Sequence, residues 1–248
     1  YDQDLSPGGN TVIEAVCPAP ALEEPATRTA VDPTAYTSGE IGINWLPADR
    51  IGVYSATTAN ACFTNQSDQE TDKTSFAGNL QNGETPLYAY YPYTETAGTL
   101  HGFQGTLPLT QHYSTATREL EGDWKVGTPK QLRLKIHFEH IFAFLKFDIN
   151  AGGTDVAGER LLSVSLTVPD KQLGGGFTVT FHRAVTFTPA TDASTVTMEW
   201  TDTPELSAST FHGYMNVAPV TGIAGTEISI QIKTNLHIIT FTETMKAD

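Results

Sequence analysis

The stretch "QLRLKIHFEHIFAFLKFDIN" (131–150) limits what this chain can fold into more than any other. Leu132, Leu134, Ile136 and Phe138 alternate with Arg133, Lys135, His137 and Glu139, the period of a strand with one face buried. At His140–Ile141 the phase flips: Ile141, Ala143, Leu145, Phe147 and Ile149 become the apolar set, and Phe142 and Phe144 are apolar as well. A slip of one residue moves every side chain to the opposite face, so the flip predicts a bulge or a strand that leaves one sheet for another. That is the behaviour of packed β-sheets.

The rest of the chain follows the same rhythm. "IGINW" (41–45) and "IGVYSA" (51–56) read as two strands around a turn supplied by Pro47 and Asp49. "TSFAGNL" (74–80), "PLYAYYPY" (86–93) and "LHGFQGTLPL" (100–109) continue at sandwich spacing. Further on, "LLSVSLTV" (161–168) and "FTVTFHRAVTF" (177–187) are alternating strands joined by "PDKQLGGG", read as a glycine-rich hairpin. "TVTMEW" (195–200), "HGYMNVAPV" (212–220), "EISIQIKTN" (227–235) and "HIITFTET" (237–244) complete a second strand-rich block. Helix is confined to one short turn at 116–122, where Glu, Leu and Arg favour it. The expected organisation is all-β: a proline-punctuated leader over 1–30 and two β-sandwich domains in tandem, 31–128 and 129–248. Within the leader, "TVIEAV" (11–16) alternates well enough to be a strand.

Charge and motifs narrow the function. The chain has 28 acidic and 14 basic residues, a formal net charge of −14, and the basic residues are scattered, so a nucleic-acid partner is not expected. Two cysteines, Cys17 and Cys62, build neither a disulfide scaffold nor a CxxC site; a Cys17–Cys62 bridge and two free thiols both stay open. No apolar run approaches the roughly 18 residues of a membrane span. The chain opens on Tyr1 without a signal peptide, which is read as the product of trimming.

No GxSxG elbow, phosphate loop, HExxH or GxGxxG occurs, and nothing nominates a pair of catalytic carboxylates. His137 and His140 resemble a ligand pair, but three residues apart on a strand they point to opposite faces. Asp68, Glu70 and Asp72 alternate like the start of a calcium loop, yet Lys73 stands where that loop needs glycine and Asn79 where it needs a bidentate Glu. Neither a metal nor a cofactor is expected. "PLYAYYPY" permits two readings, a core-lining strand and an aromatic platform for a sugar.

Taken in order, "TRTA" (27–30), "GEIGINWLPADRIGVY" (39–54), "TSFAG" (74–78), "LYAYYPY" (87–93) and "FEHIFAFLKFDI" (138–149), followed by "LLSVSLTV", resemble the fimbrillin-like family of Bacteroidetes. That family comprises the subunits of type V pili and related cell-surface lipoproteins. The resemblance implies two transthyretin-like Greek-key β-sandwiches, no catalysis, and export as an outer-membrane lipoprotein precursor that ends at the cell surface or in a fimbria. It also implies cleavage by an arginine-specific protease, here at Arg28–Thr29, and loss of a removable strand carrying Thr11, Val12, Ile13 and Val16. The groove so opened takes a strand from another pilin subunit, for which Ile238, Ile239 and Phe241 mark the candidate donor. Cys17 lacks the preceding signal of a lipidated cysteine, so the lipidated residue is expected before Tyr1. A monomeric surface module binding a host glycan or protein is the alternative from a different class.

Overall fold

The computed structural model describes residues 11–16, 30–32, 42–95, 98–129, 135–181 and 185–246. The chain is all-β, as its period-two pattern requires. The single helical element among the described residues is a 3-10 turn at Gln81–Gly83. Two compact units form, one from Tyr1–Gly105, Asp123–Ile141 and Phe177–Thr186, the other from Thr106–Gly122, Phe142–Gly176 and Phe187–Asp248.

The strands in chain order are β1 (Thr11–Val16), β2 (Ala30–Asp32), β3 (Gly42–Asn44), β4 (Arg50–Tyr54), β5 (Ala61–Asn65), β6 (Lys73–Gly78), β7 (Tyr88–Tyr91), β8 (Gly102–Leu107), β9 (Thr110–Tyr113) and β10 (Lys125–Pro129). They continue with β11 (Lys135–His140), β12 (Ala143–Ile149), β13 (Leu161–Thr167), β14 (Gly175–Thr180), β15 (Val185–Phe187), β16 (Thr195–Trp200), β17 (Phe211–Val217), β18 (Glu227–Thr234) and β19 (Ile238–Thr244).

In the first unit seven strands close into a ring in the order β1-β11-β10-β7-β4-β5-β6. A sandwich and a flattened barrel differ in whether the edges pair, and here β1 seals them. The ring is filled with aromatic side chains. Trp45 is fully buried and meets Phe76, Tyr91 and Phe138 edge-on, with ring centroids 5.1, 5.1 and 5.4 Å away. The ammonium of Lys125, also fully buried, sits 3.8 Å above the Trp45 ring, where the negative face of the indole stabilises a charge removed from water. A second cluster stacks Tyr90 on Phe103 at 4.4 Å, and Trp124 and Phe177 extend it.

The second unit sets a five-stranded sheet, β19-β18-β13-β16-β9, against a two-stranded one, β12-β17. Its core includes Val164, Leu166, Met198, Trp200, Met215 and Val217. The methyl end of Met198 and the Trp200 indole crowd Gly213 of β17, which has no room for a Cβ.

The phase flip at His140–Ile141 is where the chain leaves the first unit for the second, with β11 on one side and β12 on the other. Three expectations change. A division at 128/129 would cut β10, which pairs with β11 from Lys125↔His140 to Pro129↔Ile136 and so keeps both strands in one unit. β13 and β14 do not form a hairpin: β13 pairs with β16 and β18, while β14 lies between β8 and β15. Residues 116–122 form turns rather than a helical turn. The Ser114 hydroxyl accepts from the Ala116 amide at 3.1 Å, the Ser114 carbonyl accepts from Arg118 at 2.8 Å, and Arg118 takes φ 59°.

Candidate functional site

β1 is short, yet it is bonded along both edges. It runs antiparallel to β6, from Thr11↔Gly78 to Val16↔Lys73, and parallel to β11 through Glu14↔Lys135, Ala15↔Ile136 and Val16↔His137. Thr11, Val12, Ile13 and Val16, the residues expected in a removable strand, thus lie in the strand that closes the ring. Ala15 is fully buried there. Arg28 and Thr29, the expected cleavage site, lie outside the described residues, as does Cys17; Cys62 is exposed on β5.

The other expected element, β19, is the edge strand of the five-stranded sheet. Among the described residues it pairs with β18 alone, through Lys233↔Ile238, Ile232↔Ile239 and Ile230↔Phe241. Ile238 is 62% exposed, Phe241 55%, and Leu236 in the preceding turn 71%. Ile238 and Phe241 point to opposite faces, so apolar surface is presented on both sides of an edge that no other described strand pairs with.

The second unit also holds an apolar groove of about 490 Å³, lined by Leu145 and Phe147 of β12, Leu166 of β13, Ile228 and Ile230 of β18, and Val220. The groove follows from strand number. Two strands cannot cover five, so Val164 and Leu166 are buried while Ile228, Ile230 and Ile232 of the neighbouring strand stay half-exposed. Nothing local in the sequence announces it; the period-two pattern of β18 is the same whether or not its inner face is covered.

The aromatic run at 86–93 does not form an outward platform. Tyr90 and Tyr91 are buried, Tyr90 stacks on Phe103, and Tyr88 stacks on Phe181 with centroids 4.4 Å apart and planes 5° from parallel. The Tyr90 hydroxyl donates to Asn60 Oδ1 at 2.7 Å and accepts from the Thr94 amide at 3.1 Å. Both faces of β7 are thus occupied from within, which explains Tyr88, Tyr90 and Tyr91 better than a sugar does.

Of the paired histidines, His140 turns into the core and His137 away from it. Burial holds His140 far below the ordinary imidazole range, at about 2, with the Lys125 charge adding to the effect. Its Nδ1 lies 3.8 Å from Asp123 Oδ1, beyond hydrogen-bond distance. In the acidic stretch, Glu70 accepts from Asn44 at 3.0 Å and Asp72 pairs with Lys73 at 3.2 Å, both at the surface. Among the described residues no group of three or more His, Cys, Asp or Glu side chains is placed to hold a metal, and no helix is long and apolar enough to cross a membrane.

The class of protein defined by these features is an all-β chain with exposed strand edges. Compared with protein-family models, curated proteins and solved structures, the chain matches none.

Proposed function

We propose that the chain is a structural subunit of a bacterial surface fibre, a fimbrillin-like pilin exported as a lipoprotein precursor, matured by an arginine-specific protease and polymerised by strand exchange. On this reading the two units are transthyretin-like sandwiches, the first sealed along its edges by β1.

The observation that carries the reading is the position of β1, inserted between β6 and β11 and connected to the rest of the chain through the stretch that holds Arg28. A cut after Arg28 leaves β1 held by pairing alone. Its departure frees the inner edges of β6 and β11 together, and those N–H and C=O groups are matched by another extended segment more readily than by water or a small ligand. Adhesion follows from the assembled fibre, whose partners are other subunits and, at its surface, a host glycan or protein.

Treatment with an arginine-specific protease, followed by mass and polymer analysis, tests the reading. A single cut after Arg28 with ladders of multimers supports a polymerising subunit, and Arg28→Ala abolishes both. A cut without multimers favours a monomeric binding module instead.

A further inference from the structure

Each backbone group of β19 can be assigned to one side of the strand or the other. At the turn the Thr234 amide donates to the His237 carbonyl, and at the open end the Met245 amide donates to the Thr226 carbonyl. These two bonds and the register between them put the residues that exchange hydrogen bonds with β18 at Ile239, Phe241 and Glu243. The N–H and C=O groups of Ile238, Thr240, Thr242 and Thr244 therefore turn the other way, where no described strand pairs with β19. The same count assigns the faces: Ile239 and Phe241 share that of Ile232 and Ile230, while Ile238 and the three threonines lie opposite. A glycan or a small ligand does not match such a row of donors and acceptors, whereas an extended strand does.

The strand that fits is β19 itself. Two copies related by a two-fold axis run antiparallel at this edge, and residues turned outward in one must meet residues turned outward in the other. Only an axis through Phe241 meets that condition and pairs all 7 residues of β19. Thr240 of one copy then faces Thr242 of the other, and Ile238 faces Thr244. Such hydroxyl pairs already occur in this sheet between β13 and β16, where the side-chain oxygens of Ser165 and Thr197, and of Thr167 and Thr195, lie 2.8 Å apart. On the opposite face Phe241 meets Phe241 at a non-hydrogen-bonded position, where side chains come closest, and the contact covers two rings that are each 55% exposed. Glu243, the one acid of the strand, faces Ile239; a parallel pairing in register sets Glu243 beside Glu243 instead. We infer that β19 is the contact of an isologous pair, in which two copies of this chain join their five-stranded sheets edge to edge into one continuous sheet. The contact uses the same residues on both sides and closes on itself. It requires neither cleavage nor the departure of β1, and β19 stays bonded to its own β18, so it stands apart from the assembly reading.

The test uses the full, uncleaved chain with Arg28→Ala, followed by sedimentation over a concentration series. A reversible step from monomer to dimer is expected, with no larger species. Thr242→Pro removes an outward N–H and keeps the bonds to β18, and it is expected to weaken the dimer at least tenfold. Register is read by oxidation in a background of Cys17→Ser and Cys62→Ser: Phe241→Cys, on the axis, cross-links two copies, whereas Ile239→Cys, which faces Glu243, does not. A chain that stays monomeric, whether or not it binds a glycan or another protein, overturns the inference. So does growth beyond the dimer, an unweakened dimer of Thr242→Pro, or cross-linking through Ile239→Cys as efficient as through Phe241→Cys. Where Thr242→Pro fails to fold, the cross-linking contrast decides by itself. Association of the wild-type chain only after cleavage overturns the inference too while leaving the β1 reading intact. A dimer of the uncleaved chain, with no multimers after cleavage of the wild type, has the opposite meaning: the pair stands and the cleavage-driven reading falls.

Discussion

The hydroxyl of Tyr91 donates a hydrogen bond to Asp49 Oδ1 at 2.7 Å, joining the middle of the barrel wall to a turn 42 residues earlier in the chain. The other carboxyl oxygen, Asp49 Oδ2, accepts from the Leu46 amide at 2.8 Å and closes the turn between β3 and β4, in which Ala48 takes φ 65°. One side chain thus fixes the local turn and the strand packed behind it. Tyr91→Phe keeps the ring contact with Trp45 and removes the hydroxyl, leaving a carboxyl oxygen without that donor. The unfolding free energy is expected to fall by about 1.5 to 3 kcal/mol with an unchanged denaturant slope, measured by urea titration.

Gly52 marks the closest approach in the barrel. A Cβ there meets Tyr90 Cε1 at 1.9 Å and Asn60 Oδ1 at 2.6 Å. Tyr90 has little room to yield, being fully buried, stacked on Phe103 and bonded to Asn60. Gly52→Ala is expected to destabilise by about 1 to 3 kcal/mol through overpacking. Combining it with Tyr90→Leu makes room for the new methyl, so the double mutant is less destabilised than the sum of the two single ones. Additive losses would mean that Gly52 is required for a reason other than this ring.

Glu84 ties the hairpin between β4 and β5 to the 3-10 turn. Its carboxylate accepts from the Ser55 hydroxyl, from the Thr57 amide and hydroxyl at 3.1 and 2.5 Å, and from the Thr58 hydroxyl at 2.8 Å. These bonds, the one from Ser55 first, lower its pKa from 4.5 to about 2. A depressed carboxylate stabilises the fold above the unfolded value and loses that contribution as pH falls through the folded one. The stability of the wild-type chain is therefore expected to decline more steeply than that of Glu84→Gln between pH 4.5 and 2, and parallel curves would refute it.

His140 titrates in a different window. Desolvation, reinforced by Lys125, lowers its pKa from 6.5 to about 2, so the folded chain keeps it neutral while the unfolded chain takes up a proton below pH 6.5. The unfolded state then binds more protons, and stability falls with decreasing pH at up to about 1.4 kcal/mol per pH unit for one proton. Between pH 6.5 and 4.5 this component lies above the Glu84 window. Replacement by phenylalanine should flatten the curve there; an unaltered slope would mean that His140 does not remain neutral in the fold.

These sites differ in how far the sequence reveals them. The alternation in 131–150 predicts both the strands and the change of sheet at His140–Ile141, because one buried face leaves a period-two record. Pro47 and Asp49 predict their turn for a similar reason, since turn chemistry is local. β5, β9 and β10 are less legible: "ACFTN", "TQHY" and "KVGTP" are short and mixed, and gain their strand conformation from neighbours in the ring and sheet. The missing hairpin between β13 and β14 is a matter of topology, as a glycine-rich connection looks the same whether its strands pair or diverge. The groove beside β12 is least legible of all. It arises from a mismatch in strand number between two sheets, and no single residue encodes that.

The β19 edge gives a prediction that separates assembly from stability. Ile238 is 62% exposed on a strand at the edge of its sheet among the described residues, the arrangement that natural sheets guard with a charge to prevent edge-to-edge pairing. Here the guard is missing where Ile238 and Phe241 stand. Ile238→Glu introduces one opposite Lys233 and removes exposed apolar surface, while the bonds to β18 involve the backbone and persist. Its unfolding free energy is expected to stay within about 0.5 kcal/mol of the wild type, because the side chain is mostly in water already. Self-association, followed by sedimentation over a concentration series, is expected to fall. A variant that associates as strongly as the wild type would exclude this edge from the contact, whereas a large loss of stability would mean that Ile238 holds the hairpin together rather than offering it to a neighbour.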